Sequence, residues 1–237
     1  MKLLNLISGP RNISTALMYS FAQRDDTTVV DEPFYAFYLA KTGVNHPGKD
    51  EVLRTQSSDE FVVLNEILAM TSKPVLFVKN MAHHLEVMKS DLLDRAVNIF
   101  LIRNPKQIIA SYAEVIEKPV MRDIGIKYQF ELFKKLAATK STPVVIDSGS
   151  VVEDPASVLR KLCDNIGIGF QEKMLTWKSG PKKYDGVWAP YWYTNVHKST
   201  GFEKQPMSTR ELPVALKPIY EEACVYYEKL LAHAVRP

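Results

Sequence analysis

Residues 3–18 constrain the fold more than any other part of the chain. The apolar run Leu3–Ile7 is too short for a helix and predicts a strand that is covered on both faces. Gly9 and Pro10 interrupt this run, and Ser14 opens a segment with helical apolar spacing. A strand that enters a helix through a tight turn presents unpaired N–H groups and a positive dipole end, so this stretch can bind an anion.

Three side chains of the turn add hydrogen-bond donors, namely the Arg11 guanidinium and the Ser14 and Thr15 hydroxyls. An ordinary strand-turn-helix unit with a serine cap explains the same residues. In a comparison with the ATP-binding pattern GxxxxGK[ST], Ser14 replaces the second glycine and Thr15 replaces the lysine. The cation that neutralises the phosphates of ATP is therefore missing, which favours a smaller anionic group.

Composition narrows the class of protein. The 237 residues fit one domain, which we expect to cover 1–237, and a net charge of +3 gives no reason to expect a nucleic-acid partner. No apolar run is long enough to span a membrane, and the N-terminus lacks a secretory signal. Cys163 and Cys224 lie outside any CxxC pair, so we expect reduced thiols in a cytoplasmic protein.

Short apolar strands alternate with helical segments, which predicts an α/β fold: a parallel sheet of about five strands flanked by helices. The predicted strands are 3–7, 27–30, 74–78, 96–102 and 143–146. Helices are expected at 60–70, 107–112, 122–139, 155–166 and 211–233. The polar residues 41–58 predict a surface loop, and residues 177–206 predict a long irregular lid.

In a parallel sheet, ligands bind at the carboxyl ends of the strands. The residues at or just beyond those ends are Arg11, Asp31, Glu32, Lys79, His83, His84, Arg103 and Asp147. We therefore expect these side chains to surround one site.

The second informative motif runs from Arg103 to Ser111, where a strand end leads into a helix. A guanidinium fork and a hydroxyl could hold one phosphate from two sides. A solvated or ion-paired arginine is the alternative.

Together the two stretches resemble the sulfotransferase family that uses 3′-phosphoadenosine 5′-phosphosulfate (PAPS). The turn is similar to that family's 5′-phosphosulfate loop, PRSGST, through Gly9, Pro10, Arg11, Asn12, Ile13, Ser14 and Thr15. Arg103 and Ser111 match its 3′-phosphate motif, and Lys198, Ser199 and Thr200 lie in a segment that resembles its second 3′-phosphate loop. The resemblance implies a P-loop nucleotide-hydrolase-like fold and PAPS as co-substrate, with no metal. It also implies sulfuryl transfer to a hydroxyl or amine of a small molecule or glycan.

One residue of the turn departs from the family pattern. Ile13 stands where the family loop usually has glycine. A β-branched residue disfavours positive φ, so we expect Ile13 either to keep an ordinary backbone conformation or to belong to a turn of different shape.

The resemblance also assigns catalytic roles. Arg11 would meet the charge that develops on the leaving group, and Lys79, similar to the lysine of the family's KTH-type segment, would contact the sulfuryl oxygens. Glu32, in an Asp-Glu-Pro-Phe run similar to that of the family's glycan-directed branch, would accept the acceptor's proton. His83 or His84 is the alternative base, and the pair could also be plain surface residues. Asp31 is expected to be structural.

Two further functions stay open at this point. One is a P-loop kinase or other phosphotransferase that uses ATP and Mg²⁺, and the other is a non-catalytic nucleotide-binding descendant of the fold. The late aromatic residues Trp177, Trp188, Tyr191, Trp192 and Tyr193 predict a packed lid or a stacking surface for adenine or an apolar acceptor. The sequence predicts neither the acceptor nor the oligomeric state.

Overall fold

Six parallel strands form one sheet in the order β2-β3-β1-β4-β5-β6. The computed structural model describes residues 1–112, 119–138, 143–203 and 212–237. The strands are β1 (Lys2–Ser8), β2 (Thr27–Asp31), β3 (Val75–Met81), β4 (Val97–Ile102), β5 (Val144–Asp147) and β6 (Ala234–Val235). The predicted α/β class with a parallel sheet is therefore confirmed, and a two-residue sixth strand extends the sheet beyond the predicted five.

Helices connect the strands and cover both faces of the sheet. They are α1 (Ser14–Ala22), α2 (Tyr35–Thr42), α3 (Lys49–Thr55), α4 (Glu60–Ala69), α5 (Ala82–Leu85), α6 (Leu92–Arg95), α7 (Pro105–Tyr112), α8 (Met121–Ile124), α9 (Ile126–Ala137), α10 (Ser148–Glu153), α11 (Pro155–Asn165), α12 (Ala189–Trp192), α13 (Thr194–Lys198) and α14 (Lys217–Leu231). Short 3₁₀ turns occupy Glu172–Leu175 and Val214–Leu216. Pro105 and Pro155 stand at first helical positions, where the missing N–H has no intrahelical partner to lose.

The alternation of side chains along β1 divides the core between the two faces of the sheet. Leu3 and Ile7 pack in the cluster that includes residues of α4, α9 and α14. Leu4 and Leu6 pack in the cluster formed with α1 and α11. A smaller cluster joins α2 and α3 to Trp188 and Tyr193 of the late segment, which comprises residues 177–203. Part of the late segment therefore packs as core.

Several predicted boundaries were wrong for local reasons. Residues 49–55 of the expected surface loop form α3, which begins after Gly48 in a left-handed conformation. The expected long helix 122–139 is divided by Gly125, whose φ of 75° ends α8 before α9 begins, and residue 139 lies outside the described residues. The C-terminal helix spans Lys217–Leu231, within the predicted 211–233, and the irregular lid 177–206 contains α12 and α13. Residue 211 of that helix and residues 204–206 of that lid lie outside the described residues.

The end of β3 differs from the prediction in a way that matters for the site. The strand continues to Met81, so Lys79 lies within it and pairs in register with Asp31 of β2. His83 and His84 follow on α5. Within the described ranges, no helix is both long and apolar enough to cross a bilayer.

Candidate active site

In the turn between β1 and α1, two non-glycine residues adopt left-handed backbone conformations. Arg11 has a φ of 54° and Ile13, the N-cap of α1, has a φ of 45°. Of the two alternatives expected for Ile13, the ordinary backbone conformation is therefore wrong, and a β-branched residue occupies the left-handed position at a steric cost. No side chain of the described residues caps α1 at Ile13, so the first-turn N–H groups stay open toward the turn.

A glycine is required at position 9 because the backbone of a neighbouring helix lies close to it, not because of its φ. A Cβ built on Gly9 would lie 2.5 Å from the carbonyl oxygen of Ile124 at the end of α8. Asn12 fastens the other side of the turn, because its Nδ2 donates to the carbonyl oxygen of Leu101 in β4 at 2.6 Å. The turn is thus held against both α8 and β4, and Pro10 borders the cavity beside it.

The structure brings the two predicted phosphate-binding motifs together. Nε of Arg11 donates to Oγ of Ser111 at 2.9 Å, and Nη1 of Arg103 donates to the carbonyl oxygen of Arg11 at 2.5 Å. Nε of Arg103 donates to Oε1 of Gln107 at 2.9 Å. Burial and the neighbouring Arg11 lower the pKa of Arg103, against a smaller opposite effect of Asp147. The region around Arg11, Arg103 and Ser111 is called the turn corner. Both guanidiniums of the turn corner have uncharged hydrogen-bond partners.

Of the third predicted phosphate-binding element, which comprises residues 198–200, only Ser199 lies at the same cavity as the turn. Ser199 borders the cavity described below, and its Oγ accepts a hydrogen bond from Nε1 of Trp177 at 3.2 Å. Lys198 and Thr200 are exposed and do not border the cavity. The Thr200 carbonyl oxygen instead accepts from the Trp177 N–H at 2.9 Å.

A buried polar cluster lies where β2 and β3 end. Nζ of Lys79, which is 1% exposed, donates to Oδ1 of Asp31 at 2.8 Å, to Oε1 of Glu32 at 2.5 Å and to the Tyr193 hydroxyl at 2.7 Å. An ammonium has three N–H donors, so these contacts use all of them. Lys79 also borders the cavity described below, and its expected contact with sulfuryl oxygens stays a prediction.

The two carboxylates of the cluster have different surroundings. Asp31 accepts from Lys79 through Oδ1, and through Oδ2 from the Tyr193 hydroxyl at 2.7 Å and the Gly186 N–H at 3.1 Å. Glu32 accepts from Lys79 through Oε1, borders the cavity, and has Oε2 3.9 Å from Nδ1 of His84. Burial raises the pKa of Glu32, and Asp31 adds to this rise against the opposing charge of Lys79.

Three histidines border the same cavity as Glu32, and burial favours the neutral form of all three. Burial lowers the pKa of His83 to about 3 and lowers that of His84 well below its usual range, with smaller effects from neighbouring imidazoles. Burial also lowers the pKa of His46. The ring of His84 stacks on Tyr35 at 4.6 Å between centroids. The alternative that His83 and His84 are surface residues was wrong, since both are buried.

One cavity of about 410 Å³ connects the turn with this cluster. Its wall includes Arg11, Ser14, Thr15, Arg103 and Ser111 toward one end, together with Glu32, His46, His83, His84 and Trp192. Among the described residues, no group of histidine, cysteine or acidic side chains is arranged to hold a metal ion.

The aromatic residues of the late segment contribute to both the core and the cavity. Trp177, Trp188 and Tyr193 are buried, which agrees with packing, and Trp188 and Tyr193 also border the cavity. Trp192 is half-buried and borders the cavity, whereas Tyr191 is 53% exposed and covers Gly48. Sequence reasoning missed the polar role of the Tyr193 hydroxyl, and it did not single out His46, because no local pattern places residue 46 beside residues 83 and 84.

Comparison with solved structures agrees with this architecture. The sulfotransferase domain from the Synechococcus PCC 7002 olefin synthase superposes with a TM-score of 0.65 at 19% identity, covering 96% of this chain and 94% of that one. The sulfotransferase domain from the curacin biosynthetic pathway gives a TM-score of 0.62 at 16% identity and covers 100% and 99%. At these identities the likeness shows a shared fold.

Comparison of sequences supplies closer relatives and the family. Two Arabidopsis thaliana proteins named branched-chain-amino-acid aminotransferase-like protein 1 and 2 are 40% and 38% identical over 95% and 98% of this chain. The chain spans only 41% and 42% of their lengths. The family described as the sulfotransferase domain matches residues 1–234. The chain therefore belongs to the sulfotransferase family.

Proposed function

We propose that the chain transfers a sulfuryl group from PAPS to an uncharged hydroxyl of a small acceptor or glycan, with Glu32 as the base. The observation that supports this most is the contact between the two anion-binding motifs, since Arg11 of the turn donates to Ser111 of the Arg103 motif at 2.9 Å. One nucleotide that carries phosphates at both its 5′ and 3′ positions could therefore reach both motifs at once.

The chemistry of the donor set fits such a nucleotide. The open N-terminus of α1, the Ser14 and Thr15 hydroxyls and the Arg11 guanidinium suit the 5′-phosphosulfate. Arg103 and Ser111 suit the 3′-phosphate, and Ser199 borders the same cavity. PAPS would supply the activated sulfuryl group. The protein's residues would hold its phosphates and stabilise the charge on the departing oxygen.

The proton of the acceptor would go to Glu32. As the acceptor oxygen forms its bond to sulfur, the bond between sulfur and the 5′-phosphate oxygen breaks, and that oxygen keeps the electron pair. The acceptor O–H proton passes to the Glu32 carboxylate, whose pKa is raised by burial, and a raised pKa makes it a stronger base. His83, with a pKa of about 3, is a much weaker base at that pH.

The wall around Glu32 supports an uncharged acceptor. His46, His83 and His84 are neutral, and the Lys79 ammonium is already paired with two carboxylates. An anionic acceptor would meet the Glu32 carboxylate with no cation of this cluster left to balance it.

A thermal-shift experiment on the purified chain tests the donor assignment. We expect adenosine 3′,5′-bisphosphate to raise the melting temperature more than ATP with Mg²⁺ does, because a ligand that binds only the folded state stabilises it. Arg103→Ala should abolish most of the rise. The control Arg95→Ala, at an exposed residue paired with Asp91, should keep it.

Two results would contradict the proposal in different ways. Stabilisation by ATP with Mg²⁺ alone would indicate a phosphotransferase instead. Stabilisation by the bisphosphate without sulfuryl transfer to any uncharged alcohol in a broad panel, measured with ³⁵S-labelled PAPS, would indicate a nucleotide-binding protein without this activity.

A further inference from the structure

The two adjacent carboxylates at the end of β2 are brought to one ammonium by an unusual backbone conformation. Successive side chains of a strand point to opposite faces, so Asp31 and Glu32 would ordinarily diverge. Glu32 instead has a left-handed φ of 41°, while its N–H still donates to the Lys79 carbonyl oxygen at 2.8 Å. Both carboxylates consequently reach Nζ of Lys79. Strain of this kind persists only where surrounding contacts enforce it, and it is common at functional sites.

Asp31 is the better satisfied of the two carboxylates. It accepts from three donors on two different elements, namely Lys79 of β3 and the Tyr193 hydroxyl and Gly186 N–H of the late segment. Tyr193 is itself fixed, because its hydroxyl also accepts from Nε1 of Trp188 at 3.0 Å. These three hydrogen bonds hold the Asp31 carboxylate against the Lys79 ammonium.

We propose that Asp31 is a positioning residue that sets how readily Glu32 takes up a proton, by drawing part of the Lys79 charge away from Glu32. This proposal rests on the proposed function only in naming Glu32 as the base. Because Lys79 is shared, only part of its positive charge stabilises the Glu32 carboxylate. The buried Glu32 carboxylate also lies close to the negative charge of Asp31. Without Asp31, the whole Lys79 charge would stabilise the ionised form of Glu32.

Four titratable groups from four elements interact with the Glu32 carboxyl. They are Asp31 on β2, Lys79 on β3, His84 on α5 and Tyr193 on the late segment. His84 is neutral because burial lowers its pKa, and Tyr193 is neutral because burial and the two carboxylates raise its pKa. Asp31 and Lys79 are therefore the two charges that control the proton affinity of Glu32.

The test is a titration of the Glu32 side-chain carboxyl followed by ¹³C NMR in wild type and in Asp31→Asn. We expect the pKa of Glu32 to fall by about one pH unit or more in Asp31→Asn, because a like charge is removed and Lys79 is left to Glu32 alone. Asp31→Ser should lower it in the same direction. Lys79→Met should raise it.

A matched control separates this effect from loosening of the late segment. Asp185 is a second buried carboxylate that fastens the segment, since it accepts from the Tyr19 hydroxyl at 2.7 Å and lies 3.0 Å from Nε2 of His197. Asp185→Asn should leave the Glu32 titration close to that of wild type.

An unchanged or raised Glu32 pKa in Asp31→Asn or Asp31→Ser would overturn the proposal. If neither variant folds, Lys79→Met decides, because loss of the shared cation must raise the Glu32 pKa, and an unchanged or lower Glu32 pKa then overturns the proposal. The titration needs neither donor nor acceptor. A chain that shows the expected shifts but transfers no sulfuryl group would contradict the proposed function and leave the role of Asp31 standing.

Discussion

The two ends of the cavity hold similar cations with opposite partners. In the turn corner, Arg11 and Arg103 are partnered by a serine hydroxyl, a glutamine amide and a backbone carbonyl. In the carboxylate cluster, Lys79 is partnered by Asp31 and Glu32. A cation with neutral partners keeps its charge for an incoming anion, whereas a cation with two carboxylates is already neutralised. The first end is therefore suited to the donor's phosphates and the second to proton transfer.

Replacement of Glu32 should give the largest effect and separates the two ends most sharply. Glu32→Gln keeps an oxygen for Lys79 but is not a base. We expect turnover to fall roughly 10²- to 10⁴-fold, in line with the loss of general-base catalysis, while bisphosphate binding changes little. Steady-state kinetics and isothermal titration calorimetry measure the two quantities.

The exposed Glu153 supplies the control, and Glu153→Gln should retain turnover. Full activity in Glu32→Gln would show that the proton goes elsewhere and would transfer the role to a neighbouring group such as His84.

The neutral imidazoles near the carboxylate cluster should make the unfolding free energy sensitive to acid. His83 has a pKa of about 3 in the folded chain, so below about pH 6.5 the unfolded chain takes up a proton that the folded chain refuses. Stability is therefore lost as pH falls from about 6.5 toward about 3. Between pH 7.5 and 4.5 the unfolding free energy of wild type should fall by about 2.5 kcal/mol more than that of His83→Gln.

Urea denaturation at the two pH values measures this difference, and the exposed His233→Gln should lose as much stability as wild type does. A gap between wild type and His83→Gln that stays constant with pH would mean that the imidazole is not held neutral by folding.

The turn corner should be sensitive to a single methyl group. In Gly9→Ala the new Cβ would meet the Ile124 carbonyl oxygen at 2.5 Å, so the turn or α8 must move. We expect a loss of about 2 kcal/mol in unfolding free energy and weaker bisphosphate binding. Gly169→Ala is the matched control, because nothing lies within 4 Å of its added Cβ. Equal stability of the two variants would contradict the close packing of the turn.

The sequence predicted the turn corner better than the carboxylate cluster, because the contacts of the turn corner are more local. The residues of the turn lie within one short strand-turn-helix stretch, and Arg103 and Ser111 are eight positions apart, so local patterns identify both motifs. The left-handed Ile13 contradicted its local preference, because packing around the turn fixes a conformation that a β-branched residue disfavours.

The carboxylate cluster could not be predicted in the same way. Lys79 reads as a free strand-end charge until the register of β2 and β3 places it opposite Asp31. Tyr193 lies 114 positions after Lys79 in the chain, and no sequence pattern near Lys79 predicts their contact. Lys79 and Glu32 both border the cavity, and the roles expected for them stay predictions.

A crystal structure of the chain with adenosine 3′,5′-bisphosphate tests the division of the cavity most directly. We predict the 5′-phosphate at the turn against the first-turn N–H groups of α1, the 3′-phosphate beside Arg103 and Ser111, and the Lys79 ammonium still paired with Asp31 and Glu32. A nucleotide phosphate bound to Lys79, or both phosphates bound away from the Arg11–Ser111 contact, would contradict the account.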